Sequence, residues 1–250
     1  MAAARSMWSM CTRYISPETR EIEAFWHIGA RTPNNPFPSP RSLFPLATGP
    51  FLRNAADDGS RELAWGQWGM IPPESNTRIP MTRPRGPGEK PKRLSTVNAR
   101  TESVNSRPTF SGAWRAGQRC IVPASSFDEP NWETGKNVWW QFRRADGAPW
   151  GVAGLWSRWI DPETGETVDS YTMLTINANA HPLMSRMHKP EVDPATKMPL
   201  PPEKQDKRSL VLIEREHVDR WLQGTLDDAK GLLVPTPAER FLAGPHAIDA

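Results

Sequence analysis

The chain of 250 residues predicts one strand-rich domain rather than a bundle of long helices. Two features of its composition support this: proline occurs 27 times and tryptophan 12 times. Frequent proline is typical of loops and turns, and tryptophans anchor the short elements between them. Hydrophobic residues make up 37% of the chain, which at this length is enough for one core.

Apolar runs and breaker residues place the elements along the chain. Residues 21–28 (EIEAFWHI) favour an early strand or a short helix, and a loop rich in proline, asparagine and serine follows at 32–42. We expect a short strand at 43–46 and an element at 63–72 that the pair Pro72-Pro73 ends. Further strands are predicted at 120–122, 138–142, 150–156, 171–176 and 209–213, with a helix at 216–222.

Two turn signals predict hairpins. Asp146-Gly147 lies between the strands at 138–142 and 150–156, and Asp-Gly is a strong signal for a tight hairpin turn. Residues 161–165 (DPETG) predict a second hairpin, from which the strand at 171–176 returns.

The charge pattern suits a nucleic-acid groove. Net charge is +3 with a pI near 9.0, and arginine recurs beside aromatic residues at 114–115, 142–144 and 157–159. Residues 82–93 (TRPRGPGEKPKR) predict an exposed basic loop that could touch phosphates. Guanidinium groups contact phosphates while aromatic rings stack on bases. A solvated face with scattered arginines, and a plain connector at 82–93, fit the composition equally well.

The number of cysteines and the hydropathy indicate in which cellular compartment the protein is expected. Cys11 and Cys120 are too few for a disulfide framework or a four-cysteine zinc site, so we expect a reducing cytoplasm and no structural metal. No apolar run approaches the roughly 18 residues that would predict a membrane-spanning helix.

Common catalytic motifs are absent from the sequence: it has no Gly-rich phosphate loop, no Cys-x-x-Cys, no His-Glu-x-x-His and no Gly-x-Ser-x-Gly. Glu129 follows a strand that should be buried and could transfer protons, although an exposed loop glutamate is the alternative. Two histidines flank one turn-like segment and could be structural or catalytic. The candidates are therefore Cys11, Asn98, Glu102, Glu129, His181 and His188.

The dipeptide Met10-Cys11 raises the possibility of an internal start. An initiator methionine before a small residue is normally removed, so a start at Met10 would leave Cys11 with a free amine and a free thiol. Residues 1–9 would then be a leader or an upstream extension from a misplaced start, and they are too short and too weakly apolar for a secretory signal.

Five blocks of sequence carry a family resemblance. They are MCTRY at 10–14, WGMIP at 68–72, NARTE at 98–102, RCIVPA with FDE within 119–129, and AGLW at 153–156. In this order they resemble the SOS response-associated peptidase family, the abasic-site processing proteins, over a domain at residues 10–225 that leaves 226–250 as a C-terminal tail. The resemblance implies an α+β fold with mostly antiparallel strands curved into a barrel-like core and with peripheral helices.

The resemblance also implies a reaction. In this family an N-terminal cysteine, here Cys11, reacts with the ring-opened aldehyde of an abasic site in single-stranded DNA. The amine forms a Schiff base with C1′ and the thiolate closes on it to give a thiazolidine. The same Schiff base permits a lyase side reaction. We expect a monomer without cofactor that is cytoplasmic, nucleoid-associated when bound to DNA, and not attached to a membrane.

Roles carry over position by position. The resemblance gives Asn98 the role of orienting the sugar and Glu129 that of general acid and base. Arg13 and Arg100 match phosphate-contacting positions, and Trp68 matches an apolar wedge or stacking residue near the lesion.

The histidine of the family motif His-x-Arg-Met-Pro fits this chain best with a gap. His188 opens the motif, an insertion rich in proline and lysine at residues 190–207 interrupts it, and Arg208 resumes it. His188 is therefore favoured and His181 is the second choice. Asp128 stands where the family usually has an aromatic residue beside the glutamate.

Three functions remain open from the sequence. The first is covalent capture of abasic sites, which needs a start at Met10 or self-cleavage after it. The second is a cysteine peptidase with Cys11 as nucleophile and a histidine as base. The third is a single-strand binder without catalysis, for which Cys11 would be dispensable.

Overall fold

The computed structural model describes residues 11–28 and 41–246, apart from residues 83, 85 and 87. The elements of this part of the chain are β1 (Tyr14–Ser16), α1 (Thr19–Trp26), β2 (Arg41–Leu43), β3 (Thr48–Asn54), β4 (Arg61–Trp68), β5 (Asn98–Arg100), α2 (Pro108–Arg115), β6 (Arg119–Ala124), β7 (Ser126–Asn131), β8 (Val138–Arg144), β9 (Trp150–Ile160), β10 (Thr167–Asn177), β11 (Arg208–Leu210), α3 (Val218–Gln223), α4 (Leu226–Gly231) and β12 (Phe241–Pro245).

Five strands close into a barrel. Their order is β10-β4-β3-β6-β9, and β9 pairs back with β10. All of these pairs are antiparallel except β4 with β10, and β10 also carries β11 and β5. A curved, mostly antiparallel barrel with few helices is the fold predicted from the sequence, and that prediction is confirmed.

A second antiparallel sheet, in the order β12-β8-β7-β1-β2, continues directly from the barrel. The link is the step from β6 to β7, at which Ser125 donates its backbone N–H to the Ile15 carbonyl. One apolar cluster joins the second sheet to the barrel, and a second cluster lies between the barrel strands and helices α1, α2 and α3. The second sheet therefore shares a core with the barrel.

Most local predictions hold. Residues 21–28 resolve to helix, because Ile22 and Trp26 lie one turn apart on the buried face of α1. The helix predicted at 216–222 corresponds to α3, and the hairpin at 161–165 joins β9 to β10 with Thr167 opposite Ile160. The predicted strand at 43–46 begins earlier, at Arg41, and ends at Leu43; a left-handed backbone at Leu46, with φ 72°, excludes that residue from the strand.

The hairpin predicted across Asp146-Gly147 is wrong. The turn itself forms, with Gly147 at φ 77° and its N–H bonded to the Arg144 carbonyl. However, β8 pairs with β7 and β12, whereas β9 pairs with β6 and β10. Barrel closure occupies both edges of β9, so the turn connects two sheets instead of two neighbouring strands.

The fold continues beyond residue 225. Helix α4 follows α3, and β12 pairs with β8 along five residues from Phe241 to Pro245. The side chain of Phe241 packs in the core beside Phe142 and Trp150. The segment at 226–250 that the sequence predicts as a tail thus contributes helix α4 and the edge strand β12 of the second sheet.

The basic loop predicted from the sequence lies at the surface. Residues 82–93 form an exposed loop in their described part, and its ends are tied by a bridge between Met81 and Arg93. The loop predicted at 32–42 lies almost wholly outside the described residues. In the described part of the chain, no helix has the length and apolar character to cross a membrane.

Two glycines offer a matched test of barrel packing. A Cβ on Gly154 would lie 2.6 Å from the Thr172 carbonyl oxygen and 2.8 Å from Cys120 Sγ, whereas a Cβ on Gly112, in α2, would meet nothing within 4 Å. Gly154→Ala should lower the free energy of unfolding by about 1–3 kcal/mol because the strands must separate. Gly112→Ala should raise it by about 0.5–1 kcal/mol. Urea denaturation checks both, and an unchanged Gly154→Ala midpoint would contradict the closed barrel.

Candidate functional site

Cys11 lies three residues before β1, the strand that is held between β2 and β7. Its side chain is fully buried, and its thiol donates to the Arg13 carbonyl at 3.3 Å. Burial raises the pKa of the Cys11 thiol well above its usual value, and the negative charge of Glu129 raises it further. The thiol is therefore protonated at neutral pH and needs a base to become a nucleophile.

Asn98 connects Cys11 to the barrel. It begins β5, which runs parallel to β10 with Asn98 opposite Met173. Its Nδ2 donates to the Cys11 carbonyl at 3.0 Å, and its Oδ1 is buried without a hydrogen-bond partner among the described residues. The site thus keeps one unpaired acceptor beside the cysteine, where a hydroxyl of a bound molecule could donate.

Glu129 and His188 form a buried pair. Glu129, in β7, contacts His188 through Oε2 and Nε2, which lie 2.9 Å apart, and each side chain is at most 3% exposed. The second ring nitrogen of His188, Nδ1, is buried without a described partner. A carboxylate paired with an imidazole can hold and release a proton beside Cys11.

The backbone of His188 is held in a left-handed conformation, with φ 63°. Its N–H donates to the Pro130 carbonyl at 2.6 Å, and the buried Lys207 ammonium donates to the carbonyls of Met187 and His188 at 2.6 and 2.8 Å. Burial lowers the pKa of Lys207. Lys207 is a positioning residue: it fixes the turn that brings His188 against Glu129.

His181 has a different place. Its Nδ1 accepts from the backbone N–H groups of Leu183 and Met184 at 3.1 and 2.9 Å, and its Nε2 lies 2.7 Å from the Thr236 carbonyl. Both nitrogens are thus used to shape the turn after β10, with the proton on Nε2. Between the two histidines named by the sequence, the structure brings His188 to Glu129 and gives His181 structural contacts.

Arg13 is anchored at the rim of the site. Its Nη1 lies 3.1 Å from Asp128 Oδ2 and its Nε donates to Ser42 Oγ at 2.8 Å, while 37% of the side chain remains exposed. Asp128, which replaces an aromatic residue usual in the family, also lies 2.8 Å from His246 Nε2. The carboxylate therefore orients the arginine without removing it from solvent.

Arg100 and Trp68 are less exposed than their predicted contacts to DNA require. Arg100 forms an ion pair with Asp206, with 29% of its side chain exposed. Trp68 is fully buried, donates its indole N–H to the Val97 carbonyl at 3.0 Å and packs edge-on against Tyr14. With no exposed face, Trp68 supports the strand after Cys11 instead of forming the exposed wedge that the sequence predicts.

Sequence reasoning missed two contributors. In the sequence, Asp128 is only a departure from the family pattern and Lys207 only the end of an insertion, because their partners lie far away along the chain and give no local pattern. The signal available for Lys207 was its position next to Arg208, where the family motif resumes. No group of three or more potential metal ligands occurs among the described residues.

Comparisons with known proteins place the chain in a family. Residues 10–245 match the family described as SOS response associated peptidase (SRAP), so the chain belongs to that family. It is 26% identical over 159 residues to the abasic site processing protein HMCES of Xenopus tropicalis, covering 56% of this chain. The match spans 45% of that relative's length, less than half.

Solved structures show the same fold. A protein of Bordetella bronchiseptica is 36% identical with a TM-score of 0.74 and covers 95% of this chain and 100% of its own. A Bacteroides thetaiotaomicron protein reaches a TM-score of 0.66 at 16% identity, over 96% of this chain and 93% of its own. A phage-related protein of B. bronchiseptica reaches 0.60 at 19% identity, over 94% and 93%.

The buried thiols predict a pH profile for alkylation of the full chain. Burial raises the pKa of both Cys11 and Cys120, so the thiolate fraction should increase about tenfold per pH unit across about pH 7–9. The unfolded chain should react much faster, and its rate should level off near the ordinary pKa of about 8.5. Mass spectrometry of the Cys11→Ser and Cys120→Ser variants assigns each thiol. Rapid labelling of native Cys11 at pH 7 would contradict its burial.

Proposed function

We propose that this protein captures abasic sites in single-stranded DNA through a covalent bond to Cys11, within the response to DNA damage. The observation that carries the proposal is the convergence of Cys11, Asn98 and the Glu129–His188 pair in a chain of this family. A relative is named for abasic site processing, which supports DNA as the substrate.

The chemistry needs the amine and the thiol of one residue. The α-amine of Cys11 adds to the C1′ aldehyde, and loss of water gives an imine. The sulfur then adds to the imine carbon, the nitrogen takes a proton, and a thiazolidine closes with no redox change. An internal cysteine lacks the free amine, so Met10 must be removed, either as initiator or by cleavage of the Met10–Cys11 bond.

Glu129 is the proton carrier in this proposal. It acts electrostatically on the Cys11 sulfur, and its carboxyl can protonate the departing hydroxyl and accept the thiol proton. His188 holds the carboxylate in place through the 2.9 Å contact. The unpaired Oδ1 of Asn98 accepts a hydroxyl of the opened sugar.

Single-stranded DNA would reach the site past the two partly exposed arginines, Arg13 and Arg100, which would contact phosphates. The exposed basic loop at 82–93 adds positive charge. The protein would act as a monomer in the cytoplasm and associate with the nucleoid on binding DNA. The imine would also permit slow strand cleavage by β-elimination.

The cysteine peptidase hypothesis has less support. A cysteine peptidase pairs its thiol with an imidazole, whereas the Cys11 thiol donates to the Arg13 carbonyl and His188 contacts Glu129. Self-removal of the segment before Cys11 stays compatible with the capture reaction, since it would supply the free amine.

Covalent capture is tested with a chain that starts at Met10. After removal of the methionine, incubation with an abasic single-stranded oligonucleotide should give an adduct with the mass of protein plus DNA minus one water. Cys11→Ala should give none, and acetylation of the α-amine should abolish the adduct while sparing any peptidase activity. Intact-mass spectrometry reads both, and an adduct that persists in Cys11→Ala would refute the proposal.

The role of Glu129 has its own test. Glu129→Gln keeps the size of the side chain but removes the proton carrier, and should slow adduct formation by about 100-fold or more. Glu166→Gln, at an exposed position in the β9–β10 turn, is the matched control and should keep the wild-type rate. Single-turnover kinetics on denaturing gels measure the rates. Equal rates for the two variants would remove Glu129 from the mechanism.

A further inference from the structure

A cleft of about 340 Å³ lies next to the proposed catalytic residues, within the size range of small-ligand sites. His188 forms part of its wall, so the cleft adjoins the Glu129–His188 pair. Trp132 lines another part and follows Glu129 by three residues at the end of β7, about 10 Å along a strand. The cleft is therefore within reach of DNA held at Cys11.

Hydrogen bonds and an ion pair connect the residues next to Trp132. Asn131 accepts the Glu133 backbone N–H at 3.0 Å and donates to the Glu133 carboxylate at 2.9 Å. Arg186 makes two further bonds to this carboxylate, at 2.8 and 2.9 Å, and lowers the pKa of Glu133 to about 2. Because the charges of Glu133 and Arg186 offset each other, neither supplies the net charge of the cleft.

Other lining residues come from the insertion between His188 and Arg208, and hydrogen bonds also hold this segment. Gln205 donates to the carbonyls of Glu191 and Leu200 at 3.1 and 2.6 Å and accepts the Glu191 N–H at 2.8 Å. Asn179 donates to the Gln205 carbonyl at 2.6 Å. These bonds hold the inserted segment in a defined shape around the cleft.

Two lysines bring positive charge to the cleft: Lys207 is one of its lining residues, and Lys189 lies over the ring of Trp132. The buried Lys207 ammonium lines it and contacts only two neutral carbonyls, which leaves one of its three donors free. The Lys189 ammonium lies 5.2 Å from the centre of the Trp132 ring. Burial lowers the pKa of Lys207, and the negative charge of Glu191 opposes that shift.

Aromatic surface beside cations is a combination that binds a nucleotide, because the ring stacks on the base and the cations attract the phosphate. We propose that this cleft binds the nucleotide adjacent to the abasic site, with its base against Trp132 and its phosphate near Lys189 and Lys207. The proposal rests on the proposed function and adds a contact to an intact neighbour of the lesion. The buried, unpaired His188 Nδ1 offers this nucleotide a polar partner.

The test measures non-covalent binding, so it does not depend on the chemistry of Cys11. Three single-stranded oligonucleotides carry a tetrahydrofuran at the lesion position, which cannot form an imine. One has normal neighbours, and the others lack the base on the 5′ or the 3′ side. Fluorescence anisotropy should show about tenfold weaker binding when the base on one side is absent and little change for the other side.

The variants decide whether Trp132 makes this contact. Trp132→Ala should bind the normal oligonucleotide about tenfold more weakly and show no further loss when the neighbouring base is absent. Trp132→Phe should keep most of the dependence, which separates stacking from misfolding. Trp139→Ala, which removes an exposed indole away from the cleft lining, should behave as wild type. Loss for neither side or equal loss for both, or a full base dependence in Trp132→Ala, would overturn the inference.

The phosphate contact and the proposed function are separable in the same assay. Lys189→Met should weaken binding of all three oligonucleotides alike and reduce the slope of log affinity against log salt by about one; an unchanged slope would overturn the phosphate part. If capture by Cys11 succeeds but Trp132 has no coupling to the neighbouring base, only the cleft assignment fails. If the coupling is present but no adduct forms with a reactive abasic site, only the covalent chemistry fails.

Discussion

The chain passes from the barrel into the second sheet without leaving the protein interior: every residue from Arg119 to Asn131 except Ser125 is buried. This shared run of backbone fixes the two sheets relative to each other. It also aligns β7 against β1, with Phe127 opposite Tyr14 and the Asp128 N–H bonded to the Arg13 carbonyl. The positions of Glu129 and Cys11 follow from that register, because a slip of one residue would turn Glu129 to the other face.

The class of fold could be predicted from the sequence, because the patterns that indicate strands and the motifs of the family each lie within a short stretch of chain. The prediction of strand pairing failed where it depends on which strand edges other strands already occupy. The turn at Asp146-Gly147 formed as predicted, yet the strands on its two sides belong to different sheets because the barrel occupies both edges of β9. Similarly, Phe241 lies in the core, although its distance from the other core segments gave no periodic signal.

The residues of the candidate site show the same difference between local motifs, which the sequence reveals, and long-range contacts, which it does not. Cys11, Asn98 and Glu129 were named from motif blocks, and the structure brings their side chains or backbones together. The sequence identified His188 only through a match with a gap. Its contact with Glu129 depends on a left-handed turn, and Lys207 holds that turn from the far end of the insertion. The motif that contains Trp68 predicts a role near the lesion, but it does not reveal that the side chain is buried in the core beside Tyr14.

The attachment of Lys207 makes the inserted segment a loop with fixed ends. Its two ends meet where the Lys207 ammonium bonds the His188 carbonyl, 19 residues back along the chain. The entropy cost of such a loop rises slowly with length, by about 0.6 kcal/mol for each doubling. A segment of another length at residues 190–206 would therefore cost little free energy, provided that Lys207 kept its bond to the His188 carbonyl. The protein thus has a module in which selectivity could diversify independently of the reaction.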